Sequence, residues 1–439
     1  MKRFIQDFIK VMFSKAGVIL FNLGNAVVVA RGLGPDANGL IAVLVVYPTL
    51  FMTVGSLGIS QATTYYVGKD MYGLGDVKRA IVQLWILSTV FCLAACFILV
   101  RYFSDGGENL VQVMLAIAPV PFCLFNTYSS GIFLGKKQIG LFNRIEWLPP
   151  LFVFLLNILF VYGLKLGITG ALTGLAAGPF IMTLVLLLKN DFIRFFSWKV
   201  NYVIARSILS LGIVYAVALL IVNLNYRVDV VIMDKLSTKY QLGIYSKGAA
   251  LTEYLWQIPM LFSALIFSRS AGSKDPMQFS RQIARLLRMA IIAIGAASVV
   301  LMVFSAKIIV LLFGDAYAES SSVLRVLAPG VLLLTVFKIL NMDLAGRGKP
   351  WISVKAMLPA LVVNVILNLM LVPGYGAYGA ALASTVSYGL AAVLFIGLYA
   401  REVQLPVRKI LEFSLADFHF MFNLTRGSKL LKNAGFRQT

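Results

Sequence analysis

Apolar residues fill this chain in runs of about 20, the length a helix needs to cross a bilayer, and short polar stretches separate the runs. The pattern predicts twelve spans. The first six cover about 11–30, 39–61, 80–100, 110–133, 141–163 and 168–188. The second six cover about 207–233, 242–266, 287–313, 323–345, 352–373 and 378–399. The first run follows Lys2, Arg3 and Lys10 and ends in small residues near Ala30, as a signal peptide does. The spans behind it, and the polar Lys15, Asn22 and Asn25 within it, favour an uncleaved helix.

The least apolar hairpin is Ile221–Pro259, IVNLNYRVDVVIMDKLSTKYQLGIYSKGAALTEYLWQIP. It places Arg227, Asp229, Lys247 and Glu253 inside apolar runs. A charge at the centre of a lipid-facing helix costs about 2.5–3.5 kcal/mol on insertion scales. Such residues therefore point to a protein interior or an aqueous cavity, unless they lie near a helix end and snorkel to the headgroups. Prolines 48, 119, 121, 149, 150, 179, 259, 329 and 359 interrupt other spans. Each frees a backbone carbonyl and predicts a kink, either shaping a cavity or simply tolerated.

The two halves echo each other. LNILFVYGLKLGITGALTG from Leu156 parallels LNLMLVPGYGAYGAALAS from Leu367, matching Asn157 with Asn368 and Gly163 with Gly374. FLGKKQ at Phe133 parallels LAGRGKP at Leu344, and Gly39 parallels Gly243. Six spans per half give both halves one orientation, as in parallel repeats related by an axis along the membrane normal. The expected fold is an all-α polytopic membrane protein of two pseudo-symmetric six-helix lobes, residues 1–200 and 201–400, followed by a basic cytoplasmic tail, 401–439. Two lobes around a central cavity make a V-shaped alternating-access transporter.

Composition excludes a soluble fold: 60% of residues are hydrophobic, 13% are charged and the mean hydropathy is +0.87, where soluble domains carry about 25% charged residues. The net charge of +21 lies between apolar spans, so topology explains it better than nucleic acid does. With both termini cytoplasmic, the cytoplasmic loops hold most of the Lys and Arg. The outer loops and their edges hold only Arg31, Arg101, Lys165, Lys235 and Lys239. This is the positive-inside pattern, and the same basic loops suit contact with membrane lipids. PVRKILEFSLADFHFMFN, 406–423, reads as an interfacial amphipathic helix. Cys92, Cys96 and Cys123 read as packing residues, and the single histidine, His419, excludes a histidine-based zinc site or a Ser-His-Asp triad within the membrane. No catalytic or metal site is expected.

Counting 1.5 Å per residue places Arg227, Lys247 and Lys307 in the outer half of their spans, Arg31 and Arg325 at outer ends, and Lys15 and Lys338 toward the inner side. Asp229 is a candidate partner for Arg227 or Lys247. The cationic surplus predicts an anion-attracting cavity. The candidate substrate-binding residues are Arg31, Arg227, Lys247, Lys307 and Lys338; the candidate ion-coupling residues are Asp229, Glu253, Asp343 and Glu146. Tyr47, Tyr65, Tyr66, Tyr215, Tyr245, Tyr254, Trp256, Asn22, Asn25 and Asn223 offer hydrogen bonds and flat faces for sugars, or act as interfacial anchors.

The stretches ARGLGPDANGLIAVLVVYPTLFMTVGSLGISQATTYYVGKD, NYRVDVVIMDKLSTKYQLGIYSKGAALTEYLWQIP, VLRVLAPGVLL, LAGRGKPW and VVNVILNLMLVPGYGAYGAALASTVSY resemble the polysaccharide-transporter branch of the multidrug/oligosaccharidyl-lipid/polysaccharide exporter superfamily. The resemblance runs along nearly the whole chain. It implies a bacterial inner-membrane flippase for undecaprenyl-diphosphate-linked oligosaccharide, serving O-antigen, capsule or exopolysaccharide synthesis. It also implies a cationic lumen, a functional monomer, polymerase and chain-length proteins as partners, and no cofactor beyond a proton or sodium gradient. No strict substrate motif carries over, so the site residues rest on charge alone. One alternative is a cation-coupled drug antiporter, which needs acids in span one, where Asp and Glu are lacking. Another is a flippase for a cell-wall lipid precursor, whose branch tends to carry two extra spans. A membrane enzyme is disfavoured by the short outer loops.

Overall fold

The computed structural model describes residues 2–136, 138, 145–190, 202–257, 259–260, 263, 266–267, 270 and 275–413, with the backbone alone for 2–15, 190 and 276. Regular structure among these residues is helical, and eight helices are long and apolar enough to cross a membrane. Two of the eight each contain two spans. The helix Lys2–Gly55 breaks at Gly34 (φ 75°, ψ 179°), and Trp351–Glu402 breaks at Gly376 (φ 50°, ψ −127°). Both breaks need the left-handed region that glycine enters without a Cβ clash. The shorter apolar Leu148–Gly163 and the helix beginning at Lys239 stand where two further spans are expected, part of the latter span lying outside the described residues.

We number them α1 (2–33), α2 (35–68), α3 (Leu74–Phe103), α4 (Leu110–Gly135), α5 (Leu148–Gly163), α6 (Gly167–Asn190), α7 (Tyr202–Leu236) and α8 (Lys239–Glu253, continued by a tight turn Tyr254–Trp256). Then follow α9 (Pro276–Val303, continued after a break as Ser305–Phe313), α10 (Ser320–Gly346), α11 (351–375) and α12 (377–402). The N-termini are chemically marked. Asn109, Thr238 and Asp275 accept hydrogen bonds from Gln112 N–H (3.2 Å), Gln241 N–H (3.2 Å) and Gln278 N–H (2.9 Å), satisfying donors that have no helical partner. α2 is interrupted at Leu57 and Gly58, both at positive φ. The carbonyl of Gly55 at that break accepts from Ser88 Oγ–H (2.7 Å) and Tyr128 O–H (2.5 Å).

Small and amide-bearing residues hold each half together, as expected where lipid offers no hydrophobic drive. In the first half, Thr64 Oγ–H donates to the Gly131 carbonyl (3.3 Å), and Asn157 on α5 lies against Gly174 on α6. In the second half, Asn364 Nδ2 donates to Asn225 Oδ1 (2.9 Å), Asn368 Nδ2 to Asn364 Oδ1 (2.7 Å) and Ser387 Oγ to Asn225 Oδ1 (2.8 Å). These four side chains join α7, α11 and α12 and are fully buried.

Among the described residues the halves meet toward both ends. Near the α1–α2 and α7–α8 turns, the start of α2 crosses the start of α8 through Gly39 and Gly243. A Cβ on Gly39 would collide with the Lys239 carbonyl, and one on Gly243 with the Pro35 carbonyl. The relation is reciprocal, each glycine four residues after the other's obstructing carbonyl. It is the pseudo-symmetry that Gly39 and Gly243 show in sequence. Toward the other end, α2 packs on α7. Gly58 abuts Gly212, and Tyr66 and Tyr72 donate to the carbonyl (3.3 Å) and hydroxyl (3.2 Å) of Ser207. Of the tail, Val407–Ile410 forms one turn, its Ile410 carbonyl accepting from Arg288 (3.1 Å). Most of the expected interfacial helix, from residue 414 onward, lies outside the described residues.

Candidate functional site

Between the halves lies a cavity of about 330 Å³, at the lower end of the range that holds small ligands. One wall comes from α1, α2, α5 and α6, with Asn25, Asn38, Thr49 and Asn157 as polar members. The facing wall comes from α7, α8, α10 and α12 and carries all the charge: Arg227, Lys247 and Glu253. Tyr226, Trp256 and Tyr388 form an aromatic triad on that wall, ring centroids 5.2–5.9 Å apart. Lys338 of α10 rests on it, its Nζ 4.0 Å from the Trp256 ring and 4.6 Å from Tyr226, in cation–π geometry.

The charges are unevenly paired. Arg227 meets Glu253 through one contact of 3.4 Å, with both side chains about one-third exposed (39% and 32%). Such a single, half-exposed pair is weak and leaves the remaining guanidinium donors available. Lys247 points toward the Phe313 ring (5.9 Å) and makes no ion pair among the described residues. Two cations, Arg227 and Lys247, thus line the cavity with one carboxylate, Glu253, and low-dielectric walls strengthen their field.

The other candidate residues lie elsewhere, because depth along a helix does not fix the direction a side chain faces. Asp229 is enclosed within the second half. It accepts from Tyr245 O–H, Ser384 Oγ–H (3.1 Å) and Val230 N–H (2.8 Å), and Arg227 pairs with Glu253 instead. Asp343 is fully buried at the end of α10. It accepts from Ser270 Oγ–H (2.5 Å), Ser280 Oγ–H (3.1 Å), Tyr399 O–H (2.7 Å) and both Nε and Nη2 of Arg347 (3.0 Å each). Arg31 is exposed and donates across the halves to the carbonyls of Leu311 (2.6 Å) and Leu312 (2.9 Å). Lys307 is exposed on α9, and Glu146 is half-buried just before α5; neither lines the cavity. The Lys15 side chain is outside the described residues. Tyr47 donates to Asp234 (3.5 Å), which pairs with Lys239 (2.7 Å).

Tyr226 and Tyr388 escaped the sequence reading. The signal for Tyr388 was the stripe Ser384, Ser387, Tyr388, whose spacing puts three polar residues on one face of α12.

A family described as Lipid II flippase MurJ matches residues 159–432, more than half of the chain. The chain belongs to that family. It is 24% identical over 394 residues to the capsular polysaccharide biosynthesis protein CapF of Staphylococcus aureus, covering 85% of this chain and 93% of that one. It is 25% identical over 400 residues to a putative O-antigen transporter of Shigella flexneri, covering 85% and 92%. Among solved structures, the lipid II flippase MurJ in an inward closed conformation superposes with a TM-score of 0.72 at 14% identity, over 97% of this chain and 94% of that one. An inward-facing multidrug resistance MATE family transporter of the MOP superfamily gives 0.70 at 17% identity, over 88% and 94%. At these identities the structures speak to fold, the V-shaped two-lobed transporter. This MurJ-family member is a multi-pass membrane protein of the lipid-linked polysaccharide flippase group. The family is described as a flippase, and the Shigella flexneri relative as a transporter.

Proposed function

We propose that this protein carries undecaprenyl-diphosphate-linked oligosaccharide from the inner to the outer leaflet of a bacterial cytoplasmic membrane, for O-antigen, capsule or exopolysaccharide synthesis. The observation that carries the reading is the inter-lobe cavity lined by Arg227 and Lys247 against one lining carboxylate, Glu253, with Lys338 resting on the aromatic triad of the same wall. A diphosphate supplies the missing negative charge. Arg227 can hold it through parallel donors better than it holds Glu253 through one, and the aromatic triad offers faces to sugar rings. The capsule and O-antigen relatives support the polysaccharide class. The positive-inside pattern supports cytoplasmic termini. The protein works as a monomer beside a polymerase and chain-length proteins, driven by a proton or sodium gradient. Glu253 is the coupling group that faces the cavity, and Asp229 is the enclosed one.

A flippase of the cell-wall precursor is the second reading, and the family description favours it. Both readings share the prenyl diphosphate. Arg227→Ala and Lys247→Ala, expressed in the native host, are expected to abolish surface polysaccharide while protein levels stay normal. Normal polysaccharide in both variants removes the site assignment. Growth arrest on depletion, instead of polysaccharide loss, selects the second reading. Vesicle flipping with and without an imposed proton or sodium gradient tests the coupling.

A further inference from the structure

The cavity wall contributed by the first six helices carries no charge, and its polar side chains are not equivalent. Asn38 donates to the carbonyls of Val29 (3.2 Å) and Gly34 (2.8 Å), and Thr49 donates to the Val45 carbonyl (2.8 Å). Both are spent on their own backbone. Asn157 on α5 donates through Nδ2 to Asn25 Oδ1 on α1 (2.6 Å). Its own Oδ1 fits against Gly174, where any Cβ would collide with the carboxamide, and finds no hydrogen-bond partner. Asn157 is 1% exposed. A buried amide oxygen without a partner calls for an explanation.

The arrangement has one evident effect. By holding Asn25 Oδ1 from behind, Asn157 leaves the Asn25 NH2 group as the uncommitted donor on a half-buried side chain that lines the cavity. The matching position of the other half lacks this opening. Asn368 Oδ1 is likewise without a partner, but its Nδ2 donates to Asn364, which is fully buried and donates in turn to Asn225, and neither Asn368 nor Asn364 lines the cavity. The same amide-bearing helix pair is therefore sealed in one lobe and open to the cavity in the other.

The level of Asn25 also fits. Pro35 and Lys239 occupy equivalent places in the reciprocal glycine crossing. Asn25 lies ten residues before Pro35 and Arg227 twelve before Lys239. At 1.5 Å per residue the two lie within about 3 Å of the same depth, on opposite walls.

Resting on the prenyl-diphosphate reading above, we infer that Asn25 and Asn157 form the sugar subsite of the cavity. Asn25 Nδ2 donates to a hydroxyl or acetamido oxygen of the sugar joined to the diphosphate, and Asn157 is the positioning residue that aims it. Charge is read on one lobe and sugar on the other, so a ligand engages both walls only when both parts are present.

The test compares two probes with the same short prenyl chain, one ending in a diphosphate and one carrying a single N-acetylhexosamine on that diphosphate. Binding to the full chain is read by quenching of Trp fluorescence or by native mass spectrometry. Asn25→Ala and Asn157→Leu are expected to weaken the sugar-bearing probe about ten- to a hundredfold, the range for a lost hydrogen bond that leaves a buried group unpaired, and to leave the sugarless probe within about twofold. Asn25→Ser keeps a hydroxyl beside Asn157 and guards against a folding defect in the alanine variant; it is expected to lose the sugar preference while keeping the wild-type melting temperature. Equal weakening of both probes, or none for the sugar-bearing one, overturns the subsite and leaves the pair as packing between α1 and α5. If the wild-type chain binds neither probe, the prenyl-diphosphate reading itself fails and the subsite falls with it.

Discussion

Replacing Arg31 by alanine removes a clasp between the two halves. The guanidinium of Arg31 donates to the carbonyls of Leu311 (2.6 Å) and Leu312 (2.9 Å), near the end of the segment Ser305–Phe313. The last carbonyls of a helix lack helical partners, and a cation there also meets the negative end of the helix dipole. Charge-assisted hydrogen bonds contribute about 1.5–3 kcal/mol each when well shielded. Arg31 is exposed, so solvent screening reduces the pair to about 1–2 kcal/mol in all. The contact spans both halves and exists only while this end is shut. Its loss therefore raises the open-to-shut ratio about five- to thirtyfold. A cysteine at Ala30, fully buried beside the clasp, reports that ratio through its maleimide labelling rate, with Cys92, Cys96 and Cys123 replaced by serine. A cysteine at the exposed Asp36 normalises reagent access. Arg31→Ala is expected to speed labelling at position 30 by that factor, and Arg31→Lys by less, because an ammonium cannot match the guanidinium fork. Tyr317, whose hydroxyl donates to the Ala30 carbonyl (3.3 Å), keeps the end from opening completely. Labelling at the wild-type rate in Arg31→Ala refutes the clasp.

Two further outcomes follow from the packing. Gly243→Ala drives a methyl into the Pro35 carbonyl. It is expected to cost the shut state about 1–3 kcal/mol, read as faster labelling at position 30, whereas Gly397→Ala, with open space around it, is silent; equal rates in the two variants count against the crossing. Asp343→Ala removes the carboxylate on which the largely shielded Arg347 and three hydroxyls converge in a buried site. It is expected to destabilise by about 3–5 kcal/mol, seen as a large fall in melting temperature in detergent, and an unchanged melting temperature contradicts the structural role.

Position along the chain was legible before any coordinates. Run length sets which segments can span, since each helix needs about 20 apolar residues. The repeat between Asn157 and Asn368, and between Gly39 and Gly243, announced two halves of like orientation. The same reading put Arg227, Lys247 and Glu253 in the membrane, and these three do line the cavity. It could not separate them from Asp229, two residues from Arg227 but about 200° around the helix. That rotation sends Asp229 into Tyr245 and Ser384 and Arg227 to the cavity.

The class of object was readable from the residues alone: a helical membrane protein with a repeated architecture, charges inside its apolar spans and basic loops. Those properties depend on composition and on distance along the chain. Which charges pair, which face the cavity and which merely brace a lobe was decided by tertiary structure. Arg31 became a clasp only because Ser305–Phe313, 280 residues away, ends beside it. Asp343 became a staple because Ser270, Ser280, Arg347 and Tyr399 converge on it. Such partners are set by how helices rotate and pack against one another. A periodic apolar pattern constrains that rotation weakly when lipid and protein core are equally apolar.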